Sequence, residues 1–258
     1  MKKYNAYLID LDGTIYRGKK TIESGVRFVK RLQELNIPYL FFTNNTTRTP
    51  KMAVENLEKH GIKTDTSHIY TPVLATITYL KEKNPHLDKI PVYLIGQQGV
   101  MEGIISDPRF YLDDQNPNYV VVGMDTDMTY KKIKTACRAI RNGAEFIGTN
   151  ADAVLPTADE LLPGNGSQCK MIEVATGQKP VYIGKPAAPI VKYALELLGK
   201  EKSEVLMVGD NYNTDIMTGI NNGLDTLLTL TGVTKRAELK DKKQQPTYVV
   251  NNLDEWNL

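Results

Sequence analysis

The sequence predicts an α/β protein in which helices cover a parallel sheet. Two observations lead there. Short apolar runs alternate along the chain with segments of three-and-four apolar spacing, the mark of strand–helix–strand units. The chain is also large, 258 residues, with 41% hydrophobic and 24% charged residues, so it buries a sizeable core without staples.

Taken in order, Tyr7-Leu8-Ile9 reads as a strand ending at Asp10. Ser24 is placed to cap a helix carrying Val26, Phe28, Val29, Leu32 and Leu35, which Asn36 and Pro38 end. Tyr39-Leu40-Phe41-Phe42 is the next buried strand. Thr49-Pro50 and Thr71-Pro72 are helix starts with proline in the first turn, and Gly61 stops the first of these helices. A second α/β region follows, with strands Val92-Tyr93-Leu94-Ile95, Tyr119-Val120-Val121-Val122 and Glu145-Phe146-Ile147-Gly148. Its helix between Thr129 and Gly143 places Tyr130, Ile133, Cys137 and Ile140 on one face, and Ser167 caps another that ends at Gly177. The last third resumes the first pattern. Strand Val181-Tyr182-Ile183-Gly184, a helix to Gly199, strand Glu204-Val205-Leu206-Met207-Val208, a helix over 214–222, and strands near 226 and 248 complete it.

Lys and Arg number 32 and Asp and Glu 30, a near balance that gives no electrostatic case for a nucleic-acid or polybasic membrane partner. Two cysteines exclude a disulfide-rich scaffold and suit a reducing compartment. The N-terminal apolar run is interrupted by Asp10 and Asp12, so no signal peptide is expected, and no stretch has the length of a membrane span. The expectation is a cytoplasmic protein.

Chemistry concentrates at strand ends, where open α/β sheets bind ligands. Asp10-Leu11-Asp12-Gly13-Thr14 follows the first strand. One of its two carboxylates can bind a hard cation and attack as a nucleophile while the other exchanges protons. A calcium loop starting at Asp10 fails, because its sixth position is Ile15 instead of glycine and its twelfth is Thr21 instead of glutamate. Thr43-Asn44-Asn45 ends the second strand and offers a hydroxyl and backbone N–H groups to an anionic oxygen. Lys185 brings a cation to another strand end. Gly209-Asp210-Asn211-Tyr212-Asn213-Thr214-Asp215 adds two carboxylates at a strand-to-helix turn. Together the four segments read as one phosphate-and-metal site. His60, His68 and His86 lack metal-ligand spacing and are expected on the surface. Neither cysteine is followed by the arginine of a thiol phosphatase loop, and Cys137 is expected in the core.

These four segments resemble the motifs of the haloacid dehalogenase superfamily of phosphotransferases. The sequences Thr43-Asn44-Asn45, Gly184-Lys185-Pro186 and Gly209-Asp210 with Thr214-Asp215 are similar to its NagD-like subfamily, often called 4-nitrophenylphosphatases. The resemblance implies a Rossmann-like parallel sheet core with an inserted α/β cap domain, and a Mg²⁺-dependent phosphomonoester hydrolase. By this resemblance Asp10 is the nucleophile and Asp12 the acid and base. The ion is held by Asp10, Asp210 and the Asp12 carbonyl, with Asp215 behind them. Thr43, the Asn44 N–H and Lys185 bind the phosphoryl oxygens.

Spacing locates the insertion independently. Only 33 residues separate Asp10 from Thr43, room for one helix and one strand, whereas 142 separate Thr43 from Lys185. The expected boundaries are a core of residues 1–77 and 180–258 and a cap of 78–179. Small phosphorylated metabolites, sugar phosphates or nucleotides, fit such an enzyme. A phosphomutase or another phosphotransferase shares the site, but phosphomutases usually carry the cap between the first two segments, where this chain has no room. A non-catalytic phosphometabolite-binding regulator would not need both Asp10 and Asp12. The sequence leaves a homodimer open.

Overall fold

The computed structural model describes residues 2–156 and 160–258. The chain divides into two compact units, one formed by Met1–Thr43, Lys51–Tyr70 and Lys185–Leu258, the other by Asn44–Pro50 and Thr71–Gly184.

The first unit is built on a six-stranded, wholly parallel sheet. Across it the strands run Tyr248–Val250, Asp225–Thr229, Val205–Gly209, Ala6–Ile9, Tyr39–Phe42 and Ile69–Tyr70. Every residue of Ala6–Ile9, Tyr39–Phe42 and Val205–Gly209 is buried, as the unbroken apolar runs foretold for strands covered on both faces. On one face Tyr7, Ile9, Phe41, Leu206 and Val208 pack with Phe28 and Leu32 of helix Glu23–Glu34 and Leu57 of helix Pro50–Lys59. After Ala6–Ile9 the chain builds outward to Tyr39–Phe42, and later returns to the other side of the first strand with Val205–Gly209. The strand order therefore reverses between these two central strands, and the crevice outside their carboxyl ends is where such sheets bind ligands.

The second unit has its own parallel sheet, Val181–Tyr182, Glu145–Gly148, Tyr119–Val122, Ile90–Ile95 and Phe110–Leu112 in spatial order. Val154–Pro156 and Leu161–Pro163 pair antiparallel as a separate two-stranded sheet. Its edges differ from the expected 78–179. Thr71 caps helix Pro72–Lys83, accepting from the Leu74 N–H at 3.4 Å, and Val73 of that helix lies against Gly103 of helix Gln98–Ile105. Val181–Tyr182 pairs with Glu145–Gly148, so it joins the second sheet and not the first. Residues 44–50 belong here too, through Gly99 N–H to the Thr47 carbonyl at 3.2 Å and Met124 N–H to the Thr46 hydroxyl at 3.3 Å.

Three local expectations are corrected. Ile22, not Ser24, precedes the first helix, and Ser24 is buried within it. Gly164 opens helix Asn165–Thr176, while Ser167 donates to the Ala153 carbonyl. Tyr130 is exposed at the start of helix Tyr130–Arg141, although Cys137 and Ile140 are buried as expected. Both cysteines are buried and free. Among the described residues no helix is long and apolar enough to cross a membrane.

The C-terminal segment closes the first core. Trp256 is 1% exposed, its indole N–H donates to the Tyr7 hydroxyl at 3.4 Å, and Arg31 donates to the Trp256 and Leu253 carbonyls at 2.9 and 2.8 Å. Removing a buried indole leaves a large cavity, so Trp256→Ala should destabilise the protein by about 3–5 kcal/mol, read as a lower urea midpoint.

Candidate active site

Three functional side chains of the first unit follow directly from strands. Asp10 comes one residue after Ile9, Thr43 one after Phe42, and Asp210 one after Gly209. The register places Ile9 beside Val208, and the Asp10 N–H donates to the Val208 carbonyl at 2.9 Å, so the Asp10 and Asp210 side chains emerge at adjacent strand ends. Asp215 lies in the single π-helical turn Tyr212–Ile216 that precedes helix Met217–Asn222. Such turns recur at functional sites because they re-aim a side chain.

Asp10, Asp210 and Asp215 are all buried and each offers a carboxylate oxygen within 4.8 Å of the others. Lys185, 1% exposed, donates to Asp10 Oδ1 and to Asp215 Oδ1, both at 2.7 Å. Its ammonium also lies 5.8 Å from the centre of the Phe42 ring. Asp215 Oδ2 accepts from the Asn211 N–H at 3.0 Å, so each of its oxygens already has a donor. Asp210 Oδ2 accepts from the Val233 N–H at 2.6 Å, and its carbonyl from the Thr234 N–H at 3.1 Å.

Three acids against one cation leave negative charge uncompensated. Burial, then the neighbouring Asp215, pushes Asp10 well above the usual carboxylate range, with Lys185 pulling the other way. The same two causes push Asp210 up to about 7. Burial alone would lower the Lys185 ammonium, but Asp10 and Asp215 outweigh it and hold it above its ordinary value. A cluster of hard oxygen donors with surplus negative charge fits a small divalent cation such as Mg²⁺.

Close backbone approach explains two glycines. A Cβ on Gly13, whose φ is +95°, or on Gly232 would fall inside the Asp210 carboxylate. The loop holding Gly232 and Val233 was missed in the sequence. It too follows a strand, Asp225–Thr229, and Thr231 ties it to the first motif by donating to the Gly13 carbonyl at 2.7 Å.

Asp12 is exposed and its carboxylate is outside the buried trio. Thr43 is buried, with its N–H donating to the Tyr70 carbonyl at 3.3 Å. Asn44 clusters with the second unit, where its side-chain amide donates to Asp152 at 3.0 Å and its carbonyl accepts from Asn150 Nδ2 at 3.0 Å. His60 corrects an expectation. It is buried, stacked on Tyr16 with centroids 4.7 Å apart. His68 is half-buried against Tyr39, and only His86 is exposed as expected.

A parallel sheet with buried acids and one buried lysine at its switch point defines an α/β enzyme. Comparison with known proteins makes the class specific. A family model described as haloacid dehalogenase-like hydrolase matches residues 7–105, and an HAD-hydrolase-like model matches 182–256. A Bacillus subtilis protein named 5'-nucleotidase YutF is 45% identical over 99% of this chain and 98% of its own length. A Staphylococcus saprophyticus acid sugar phosphatase is 42% identical over 99% of this chain and 97% of its own. The crystal structure of a double mutant thermostable NPPase from Geobacillus stearothermophilus superposes with a TM-score of 0.92 at 45% identity, covering 100% of this chain and 99% of that one. The chain belongs to the haloacid dehalogenase-like hydrolases, in their NagD-like branch, and is a phosphatase.

Lys185 is the sole cation bonded to the Asp10 and Asp215 carboxylates among the described contacts, and removing one partner of a buried ion pair typically costs about 3–5 kcal/mol. Lys185→Met should therefore lower stability by that order, measured by urea unfolding in chelator at pH 8. A loss under about 1 kcal/mol would mean the pair is far better solvated than its burial indicates.

Proposed function

We propose that the protein is a Mg²⁺-dependent phosphomonoester hydrolase acting on small phosphometabolites, sugar phosphates or nucleotides, through an aspartyl-phosphate on Asp10. The observation that carries this reading is the pairing of a buried aspartate at the switch point with a buried lysine and two further buried acids. Asp10 attacks phosphorus, the ester P–O bond breaks, and Asp12 gives its proton to the departing alkoxide. Asp12 then takes a proton from the water that attacks the acyl phosphate, releasing phosphate and restoring Asp10. Thr43, the Asn44 N–H and Lys185 offer donors to the three equatorial oxygens as charge spreads over them. The Asp10 and Asp210 carboxylates and the Asp12 carbonyl would hold the cation, and Asp215 orients Lys185 from behind. When bound, the cation neutralises charge on the transferring phosphoryl group.

Support for the substrate class comes from the relatives, one named for nucleotides and one for sugar phosphates. Both names describe a phosphoryl group on a sugar hydroxyl, whose alkoxide is a poor leaving group and needs an acid such as Asp12. Selectivity among such esters is assigned to the second unit, inserted between the strand-end segments that carry the chemistry. A phosphate-release screen over sugar phosphates and nucleoside monophosphates, with Mg²⁺ and with chelator, tests the reading. No release from any of them with Mg²⁺ would overturn it.

Asp10→Asn should reduce release to background, because an amide neither attacks phosphorus nor binds the cation well. Its thermal unfolding should stay cooperative, since the side chain lies at a strand end. Asp12→Asn should lower kcat on alkyl phosphates by about 10²–10⁴-fold and cost much less on 4-nitrophenyl phosphate, whose leaving group departs without a proton. Equal losses on the two substrates would refute the acid role.

A further inference from the structure

The segment that follows Asp12 is a short hairpin, Tyr16–Arg17 paired antiparallel with Lys20–Thr21. Its first residue closes the turn around Asp12. The Tyr16 N–H donates to the Leu11 carbonyl at 3.2 Å, the Tyr16 carbonyl accepts from the Gly13 N–H at 2.7 Å, and Asp12 and Tyr16 form a bridge. Asp12 is exposed, so the position of its carboxylate depends on where this backbone is held.

One side chain touches both strands of the hairpin. His60 stands just past the end of helix Pro50–Lys59, its N–H bonded to the Leu57 carbonyl at 3.0 Å. Its ring stacks on Tyr16 with an interplanar angle of 15°, and its Nδ1 shares a 2.8 Å hydrogen bond with the Thr21 hydroxyl. Tyr16 and Thr21 are register partners across the hairpin. Tyr16 is 4% and His60 8% exposed, so the contact is sheltered from water. An aliphatic residue at 60 could fill the volume, but would fix neither the ring plane nor the hydroxyl. The imidazole gives a flat face and a polar edge, and so two points of attachment.

We infer that His60 is a positioning residue for the phosphatase reaction: through Tyr16 and Thr21 it holds the hairpin in the register that aims Asp12 at the leaving-group oxygen. The inference rests on the reading of Asp12 as proton donor. A general acid must lie within hydrogen-bond reach of the oxygen it protonates, and displacements near 1 Å cost up to about 10²-fold. His60 belongs to the first unit and moves no proton itself.

The test compares His60→Ala, His60→Phe and Thr21→Val with wild type on glycerol phosphate and on 4-nitrophenyl phosphate, with Asp12→Asn and the double variant Asp12→Asn/His60→Ala alongside. His60→Ala should lower kcat on glycerol phosphate by about 10–100-fold, and on 4-nitrophenyl phosphate by only a few-fold, with KM nearly unchanged. His60→Phe keeps the stacked face and should recover part of the loss. Thr21→Val removes only the hydroxyl and should shift the same ratio in the same direction, so it carries the test if His60→Ala does not fold. In the Asp12→Asn background, His60→Ala should cost nothing further, because the two act as a unit. Equal losses on both substrates, or a loss that adds to that of Asp12→Asn, would show a merely structural role and overturn the inference. In that case a retained leaving-group dependence in Asp12→Asn leaves the acid assignment standing. Equal losses in Asp12→Asn itself would remove the assignment and the inference together.

Discussion

Three carboxylates held within 4.8 Å of one another in a buried site constitute the constraint around which the first unit is arranged. Such a cluster is costly unless cations and hydrogen bonds offset the lost hydration. Lys185 supplies one positive charge to two of the acids, and the backbone N–H groups of Asn211 and Val233 supply fixed dipoles. The parallel sheet makes this arrangement accessible. Its strand ends face one way, so residues remote in sequence reach one small volume, and the reversal of strand order opens room between two of them. Burial first, and the neighbouring Asp215 second, raise the proton affinities of Asp10 and Asp210.

Much of this was legible in the sequence because buried parallel strands are written as unbroken apolar runs, and the residue after each run is then a strand-end residue. Asp10, Thr43 and Asp210 could be placed that way without a structure. Lys185 was harder. On its own a lysine after a strand is most often a surface residue, and only acids brought from positions 10 and 215 make burial of its ammonium tolerable. The loop at 231–234 escaped notice because it contributes mostly backbone N–H groups, which carry no side-chain signature. His60 was misjudged for a related reason. Its neighbours are Tyr16 and Thr21, about forty residues away in sequence, on strands of two residues each, too short to show a period.

The second unit starts seven residues before the expected 78, ends five after the expected 179, and takes in residues 44–50 as well. Val181-Tyr182 reads as a strand in either context, since pattern fixes burial and not the partner. Pairing with Glu145–Gly148 decides that it belongs to the second sheet. The expected boundary at 77/78 falls inside helix Pro72–Lys83, whose cap, Thr71, directly follows strand Ile69–Tyr70. Helix starts are set by a few residues of capping chemistry, whereas membership of a unit is set by side-chain packing that a single sequence does not display.

The pairing of Ala6–Ile9 with Val205–Gly209 also bears on biosynthesis. One of the two neighbours of the central strand is encoded some two hundred codons after it. At about 5–20 residues per second, the first strand waits on the order of 10–40 seconds for that neighbour. Residues 71–184, which form most of the second unit, emerge complete within that interval and have all their own sheet partners at hand. The sheet that bears the acids is therefore completed only after the whole insertion has been synthesised, and until then the apolar first strand has Tyr39–Phe42 as its one available neighbour.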